Sequence, residues 1–549
     1  MKREGFAPSN NALDTQLVAV LDSAHIGDIK GAFGTIKHGD NAPRKGMGAK
    51  LRTLVAVIGP GLIVMAGDND AGAFGTYTQA GQNYGTKLLW TLLLLIPVLY
   101  VNQEMVLRLG AVTGVGHARL ILERFGKFWG AFSVIDLFLL NALTIVTEFI
   151  GIHLGLLYLG LPTFAGVILA AIFVIAAAST GSFRRFEQVC LALVVGSFIL
   201  IPIVLMSHPP VGRMTHDFLV PGLPHGAPLS TVMLLIIAIV GTTVAPWQLF
   251  FQQSYVIDKR ITPRFMRYGK IDLWLGIVVV IVGGVAMMAF STSAFTGHRE
   301  FGAFTDAGGV ASGLGRYVSQ SAGIFFAIAL IDASIIGAAA VGLSTSYAVA
   351  DVLGVRHSLH RKPSEAKLFY LVFALLMGVA AGIVLIPGSP LGLLTEAVQT
   401  LAGVLLPSAA VFLLLLCNDK EVVGPWANGR KTNVFTSLVI AVLVMLSIIL
   451  TASVLYPSIT STQILSILII GSALTTVAGS IVFTRQRQLP NPTSVDRVAK
   501  LKWRMPPLTT LAPPTLSVGR RVWLGVLRSY LLVATVLVVI RVVQLARGR

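Results

Sequence analysis

The sequence predicts an all-α protein that crosses a membrane many times, and three observations support this. Of the 549 residues, 55% are hydrophobic and only 12% are charged, with a mean hydropathy of +0.80. A soluble chain of this length needs far more charge to cover its surface. Apolar runs of the ~20 residues that span a hydrocarbon core recur along the chain, and Lys and Arg are concentrated in alternate loops. One large membrane domain is therefore predicted.

The apolar runs predict twelve membrane spans and a weaker thirteenth segment. They cover residues 54–79, 88–109, 130–157, 163–180, 189–206, 231–257, 273–295, 321–353, 367–388, 396–417, 434–456, 463–484 and, more weakly, 522–545.

The distribution of basic residues predicts the orientation. If the N-terminus is cytoplasmic, the tail and the loops after even-numbered spans hold 34 of the 42 Lys and Arg residues. This bias is typical of cytoplasmic loops, so we expect a multi-pass protein of a bacterial inner (plasma) membrane. The net charge of +18 follows from this bias, and no nucleic-acid partner is expected. The two cysteines, Cys190 and Cys417, lie in apolar runs, which excludes a disulfide framework or a Cys-rich zinc site.

The first span carries acidic residues at its middle. Asp68, Asn69 and Asp70 are flanked by Gly67 and Gly72, and each glycine weakens a helix by about 1 kcal/mol relative to Ala. A carboxylate inside a bilayer costs about 2.5–3.5 kcal/mol on insertion scales. A helix broken at this depth frees backbone carbonyls beside a carboxylate, which is the composition of a cation site.

The sixth span has a matching interruption. Pro246 lacks an N–H and disfavours the preceding helical turn, and Gly241, Thr242 and Thr243 precede it. Two interrupted spans five helices apart indicate a transporter built from inverted repeats, with its substrate bound between them.

The chain is accordingly divided into five parts. We expect a basic cytoplasmic tail at 1–50 and a transporter core at 51–417, with five-helix repeats at 51–206 and 231–417. Accessory spans at 418–484, a proline-containing cytoplasmic linker at 485–521 and a possible extra span with a short tail at 522–549 complete it.

Other polar residues are less specific. Glu148 in the third span could relay protons or be a structural carboxyl, and both readings stay open. Glu104 precedes Arg108 by four residues, a spacing that predicts an ordinary ion pair. His357 and His360 lie in a basic loop and are expected to be solvated.

These motifs resemble those of the Nramp family of divalent-metal transporters, over roughly residues 50–456. The resemblance includes GPGLIVMAGDNDAGAFGTYTQAGQNYG in the first span, TEFIG in the third, GTTVAPW in the sixth and LLPSAAVFLLLLCND before the eleventh. It implies the LeuT-type fold of five plus five helices, with two or three extra C-terminal helices.

The departures from the family pattern concern the implied metal site. The family's Asp-Pro-Gly-Asn motif reads Asp70-Ala71-Gly72-Ala73 here, so the carboxylate is kept and the Asn ligand is lost. The family's Ala and Met ligands in the sixth span correspond to Thr242 and Ala245. Gln399 matches the family's tenth-span Gln, eight residues before Pro407.

The implied ligand set therefore contains only oxygen. It comprises Asp70, Asp68, Thr242, Gln399 and freed backbone carbonyls, with Ala73 and Ala245 leaving room for water. Oxygen ligands favour Mg²⁺, Ca²⁺ and Mn²⁺, whereas the lost thioether favours softer metals. The pattern resembles the Nramp-related magnesium transporters.

The resemblance also bears on proton coupling. The family's third-span Asp is Ile145 and its sixth-span His is Trp247, and neither can titrate. Glu148 is kept as a doubtful proton-pathway residue. We expect a secondary transporter that imports Mg²⁺ or Mn²⁺ by alternating access, with weak or no proton coupling and no resident cofactor.

Two other functions were considered. An ion-coupled carrier of organic solutes would share the fold but would have little fixed negative charge at its centre, which Asp68 and Asp70 supply. A membrane-embedded metalloenzyme is disfavoured because no HExxH motif occurs among the ten histidines.

Overall fold

The described part of the computed structural model consists of residues 19–512, apart from 225, 389–390, 457–458 and 488–496, and of scattered positions after 512. Most of the weak apolar segment 522–545 lies outside the described residues, so its thirteenth span stays a prediction.

The described chain is helical almost throughout. Its α-helices are Met47–Val57, Pro60–Ala66, Ala71–Tyr84, Trp90–Thr113, His117–Phe125, Lys127–Tyr158, Thr163–Ala178, Phe183–Gly196, Leu200–Ser207, Val211–Leu219, Leu229–Thr243, Pro246–Asp258, Met266–Phe295, Ala307–Tyr317, Gln320–Leu353, Lys367–Val384, Leu391–Cys417, Lys420–Val423, Arg430–Leu455, Ser461–Arg487 and Arg497–Lys502. Short 3₁₀ turns lie at Ser23–His25, Ser197–Ile199, Gly424–Trp426 and Leu508–Thr510.

Each of the twelve predicted spans coincides with one of these helices or with a broken series of them. Among the described residues, eight helices are long and apolar enough to cross a membrane, and a ninth is counted if the bent pair Met47–Val57 and Pro60–Ala66 is one span. The remaining predicted spans are the shorter or partly described helices Thr163–Ala178, Leu391–Cys417 and Ser461–Arg487. The protein is thus an all-α, multi-pass membrane protein.

The first span is longer than predicted and is broken twice. It starts at Met47 rather than at residue 54, and its first two helices meet at an angle of 51°. Gly59, between them, has a φ of 147°, which an L side chain rarely adopts. We call helix Met47–Val57 the inner arm, because it lies on the side of the molecule that carries the N-terminal segment.

Successive spans alternate in direction and so define two faces. The N-terminal face carries residues 19–46 and the described parts of the loops after the even-numbered spans. A two-stranded antiparallel hairpin, Ile29–Gly31 with Gly34–Ile36, lies on this face, with Ile29 opposite Ile36.

The broken first span lies inside the bundle. The eighth span packs along the third, and the seventh packs along both halves of the first. Side chains with almost no exposed surface, including Phe74, Tyr77, Phe149 and Trp247, surround the breaks. The packing therefore holds the interruptions of the first and sixth spans near the centre of the protein.

Candidate metal site

The first-span break has the geometry that the sequence predicts. Helix Pro60–Ala66 ends before Gly67, and Asp70 is the N-cap of helix Ala71–Tyr84. Its Oδ1 accepts a hydrogen bond of 2.9 Å from the backbone N–H of Ala73. The N-terminus of a helix favours a negative charge, so this position stabilises a carboxylate that is only 5% exposed.

The sixth-span break is shorter. Helix Leu229–Thr243 ends and helix Pro246–Asp258 begins with Pro246 at its first position, leaving Val244 and Ala245 between them. Proline is favoured at this position because its missing N–H would have no partner in the helix. Thr242 and Ala245 are both buried, and the predicted interruption is confirmed.

Side-chain hydrogen bonds join the two breaks. The Tyr77 hydroxyl lies 2.6 Å from the Thr243 hydroxyl. Gln248 donates through Nε2 to Asp68 Oδ1, and Gln103 Nε2 donates to Gln248 Oε1 over 2.9 Å. All five side chains are buried.

Sequence reasoning missed three of these residues, Tyr77, Gln103 and Gln248. One signal was available: Tyr77 lies seven residues after Asp70, on the same helix face. Gln103 and Gln248 are neutral polar groups in apolar spans, and only the fold shows that they meet.

Glu148 lies at the same site. Its Oε2 accepts a 3.1 Å hydrogen bond from the backbone N–H of Ala71, and its carboxyl group lies beside that of Asp70. Gly337 makes room for it, since a Cβ at this glycine would lie 2.7 Å from the Glu148 carboxyl carbon. The structure therefore places Glu148 beside the principal candidate ligand.

Two buried carboxyl oxygens at the site have no hydrogen-bond partner among the described residues. They are Asp68 Oδ2 and Glu148 Oε1. Buried polar atoms in proteins are nearly always paired, and oxygen atoms of this type are ligands for hard cations. The described residues contain no group of three or more His, Cys, Asp and Glu arranged around one metal position. A cation would thus need neutral oxygens as further ligands.

A cavity leads from the site toward the face opposite the N-terminal segment. Its volume is about 610 Å³. Ala71 and Gly72, next to Asp70, line its inner end, and residues of the third, sixth and eighth spans line its walls. The loop residues Phe304 and Asp306 lie at its outer end.

The remaining predicted site residues contribute less. Ala73 is fully buried, and its backbone N–H donates a hydrogen bond to Oδ1 of Asp70. Ala245 offers only backbone atoms. The side chain of Gln399 lies outside the described part of the tenth span, so its role stays a prediction.

Two expectations concern residues away from the site. The ion pair of Glu104 with Arg108 is confirmed, with 3.3 Å between Oε2 and Nη2. The expectation that His357 and His360 are solvated is wrong. The ring of His357 is 2% exposed and pairs with Asp351 over 2.9 Å, because the N-terminal segment covers it. The ring of His360 is half-buried, with Nε2 3.1 Å from the carbonyl oxygen of Asp258.

Two broken spans that face each other within a helical bundle define a membrane transporter of the LeuT type. Solved structures with this fold resemble the chain. A manganese transporter of Eremococcus coleocola superposes with a TM-score of 0.63 at 20% identity, covering 81% of this chain and 96% of that one. A Na⁺-coupled sialic acid symporter superposes with a TM-score of 0.50 at 15% identity, covering 77% and 88%.

The sequence comparisons identify the family. The model of the Nramp family, described as natural resistance-associated macrophage protein-like, matches residues 61–453. The chain therefore belongs to the Nramp family. A divalent metal cation transporter MntH of Ralstonia nicotianae is 27% identical over 409 residues, which is 71% of this chain and 89% of that protein. The MntH of Yersinia enterocolitica is 25% identical, covering 76% and 98%.

Proposed function

We propose that the protein is a secondary transporter that moves a divalent cation across the membrane by alternating access. The observation that carries this proposal is the position of Asp70. It caps a helix broken inside the bundle, lies beside Glu148 and directly precedes Ala71 and Gly72, which line the inner end of a cavity. The names of the relatives, divalent metal cation transporter and manganese transporter, agree with this proposal.

The cargo we propose is a hard ion, Mg²⁺ or Mn²⁺. The described candidate ligands are the carboxylates Asp70 and Asp68, the hydroxyl or carbonyl oxygen of Thr242, and backbone carbonyls. Ala245 supplies no sulfur. Hard ions prefer oxygen ligands, and Mg²⁺ usually keeps several waters of its octahedral shell, for which the small side chains leave room.

We further propose that transport is uncoupled from protons or weakly coupled. Ile145 and Trp247 cannot accept a proton. A membrane potential of 100 mV supplies about 2.3 kcal/mol per elementary charge, hence about 4.6 kcal/mol for a divalent ion. Inward movement then follows if the N-terminal face is cytoplasmic, as the basic loops and the bacterial relatives suggest. Glu148 is the group to test, because it touches Asp70.

A carrier of organic solutes is the alternative with the same fold. The three carboxyl groups of Asp68, Asp70 and Glu148 repel an anionic or zwitterionic solute, and no observation in the described residues favours one. Uptake into proteoliposomes distinguishes the two functions. We expect radiolabelled Mn²⁺ uptake that excess Mg²⁺ inhibits and Cd²⁺ inhibits weakly, and none in Asp70→Asn. Absence of uptake of any divalent ion, with a folded protein, would contradict the proposal.

A further inference from the structure

The N-terminal segment Ala19–Ile36 is folded onto the membrane domain, although the composition of residues 1–50 predicts only a basic tail. It lies outside the region that matches the family, residues 61–453. It contains a 3₁₀ turn and the hairpin, and four of its apolar residues, Ala19, Ile29, Ala32 and Ile36, are less than 10% exposed. Burial of this kind needs a specific partner surface.

The first half of the segment is fixed to the ends of the sixth and eighth spans. Asp22 forms an ion pair with Arg361, in which Oδ1 of Asp22 lies 3.0 Å from Nε and 2.5 Å from Nη2 of Arg361. Asp22 also accepts a hydrogen bond of 2.8 Å from the backbone N–H of His357. Arg260, just after the sixth span, donates to the carbonyl oxygens of Ala24 and Asp28. Paired charges at so little exposure are costly to separate one at a time.

The hairpin is fixed to the fifth span. The backbone N–H of Ala32 donates to Glu187 Oε2 over 2.6 Å, and Arg184 Nε donates to the carbonyl of Gly31 over 2.9 Å. Glu187 also forms a fully buried ion pair with Lys259, whose Nζ donates to the carbonyl of Ile58 over 2.6 Å. Ile58 lies at the bend that ends the inner arm.

The hairpin also packs directly on the inner arm. Ile29 and Ile36 share an apolar cluster with Ala56 and Val57. A Cβ at Gly34 would lie 3.0 Å from the Cβ of Ala56. One short segment thus joins the inner arm, the fifth span and the ends of the sixth and eighth spans.

This arrangement has a mechanical consequence in a transporter with inverted repeats. Opening toward the N-terminal face requires one bundle to rock away from the other around the fixed site. In this structure the cavity reaches the opposite face, and the gap lined by Leu21 and His25 on the N-terminal face has no space for a water molecule. The inner arm cannot leave the fifth span while the hairpin bridges both.

We propose that Ala19–Ile36 is an intramolecular lock that holds the N-terminal face closed and must detach before a cargo can leave on that side. The proposal rests on alternating access as proposed above, but not on the identity of the ion. It assigns to Asp22 and Glu187 a role in conformational control that is separate from cargo binding.

Cysteine accessibility in the full chain tests this lock. Both native cysteines, Cys190 and Cys417, are buried and are replaced by Ala. Val57→Cys places a thiol on the inner arm beneath the hairpin, where Val57 has no exposed surface. Gly48→Cys places one on the exposed start of the same helix, where a Cβ meets nothing within 4 Å. The measured quantity is the labelling rate at Val57→Cys divided by that at Gly48→Cys.

We expect Asp22→Ala to raise this ratio at least about tenfold, because it leaves Arg361 without its partner. The double variant Asp22→Arg with Arg361→Asp restores the ion pair but not the acceptor for the backbone N–H of His357, so it should bring the ratio part of the way back to the low value. Asp40→Ala is the matched control, since Asp40 lies after Ala19–Ile36 and pairs locally with Arg44, so it should leave the ratio unchanged. An unchanged ratio in Asp22→Ala would overturn the lock.

The lock and the transport function fail in different ways. If labelling responds to Asp22→Ala but no cation is taken up by any variant, the lock stands and the cargo assignment fails. If uptake is intact and labelling does not respond, the lock is wrong and the transport proposal stands.

Discussion

The carboxyl group of Glu148 accepts a hydrogen bond of 3.1 Å from the N–H of Ala71, which places it against the carboxyl group of Asp70. The two residues are 78 positions apart in the chain and come from the third and first spans. Their contact brings a titratable group to the site. The two positions that resemble the family's other titratable groups are occupied by Ile145 and Trp247 here.

Asp70 is expected to be the main charged ligand. Asp70→Ala removes both the charge and the helix cap, so it should abolish cation uptake and also lower stability by about 1 kcal/mol. Asp70→Asn keeps a capping oxygen and should abolish uptake while leaving thermal stability nearly intact. The two variants are compared by proteoliposome uptake and by thermal denaturation. Uptake at the wild-type rate in Asp70→Asn would refute the assignment.

Ala245 is expected to determine the preference for hard ions. Ala245→Met introduces a thioether next to the sixth-span break and should strengthen Cd²⁺ competition against Mn²⁺ about tenfold, equivalent to about 1.4 kcal/mol. Ala245→Leu adds similar volume without sulfur and serves as the control. The measurement is the Cd²⁺ concentration that halves Mn²⁺ uptake. Equal shifts in both variants would show that volume, not sulfur, sets the preference.

Proton movement is expected to be weak or absent during transport. A pH-sensitive dye trapped in proteoliposomes should report no acidification that tracks Mn²⁺ or Mg²⁺ influx, because the proton-accepting groups at 145 and 247 are missing. Acidification that follows metal uptake and disappears in Glu148→Gln would show that coupling persists through Glu148, by its contact with Asp70.

Gln248 is expected to act through Asp68. Gln248→Leu removes the donor that orients the Asp68 carboxylate and should weaken Mn²⁺ binding about 10–100-fold, as is typical when a partner of a metal ligand is lost. In the Asp68→Asn background the same substitution should have little further effect. Isothermal titration calorimetry on the four proteins of this cycle gives the coupling. Additive losses would mean that Gln248 acts independently of Asp68.

Acidification of the N-terminal face is expected to weaken the lock through His25. Asp258, His357, Asp22 and Asp351 face this ring. Burial lowers the pKa of His25 from 6.5 to about 4, although Asp258 acts in the opposite direction. The ring is therefore neutral in the locked state. The contribution of the neutral His25 ring to the stability of the locked state is complete above pH 6.5 and is lost as the pH falls toward 4.

His357 and Asp22 do not titrate in the same window. Burial lowers the pKa of His357, but Asp351 outweighs it and raises this pKa to about 9, so the ring is charged at and below pH 6.5. Burial raises the pKa of Asp22, but Arg361 and two backbone N–H groups hold it below its usual range. The labelling ratio at Val57→Cys should therefore rise between about pH 6.5 and 4.5, where the contribution of His357 is already complete, and His25→Phe should abolish this rise. A rise that persists in His25→Phe would assign it to another group.

The amino-acid sequence by itself determined the approximate positions of twelve spans and of the breaks in the middle of the first and sixth spans, but not the additional bend of the first span at Gly59. This was possible because those features depend on local chemistry. The length of an apolar run determines where a helix can span the membrane. Glycine and proline weaken a helix, and an aspartate at a break caps the helix that follows. The resemblance of the motifs also identified the family, which the comparison over residues 61–453 confirms.

Only the tertiary structure decided which polar groups meet. Glu148 could have been a structural carboxyl, and nothing in an apolar third span says that its face turns toward Asp70. Gln103 and Gln248 are 145 residues apart, and their pairing depends on how the second and sixth spans pack. Residues 1–50 are polar and basic in composition, so the burial of Ala19–Ile36 depends on partners such as Glu187 and Arg361. Long-range pairing of this kind is set by the packing of whole helices, which local sequence patterns do not encode.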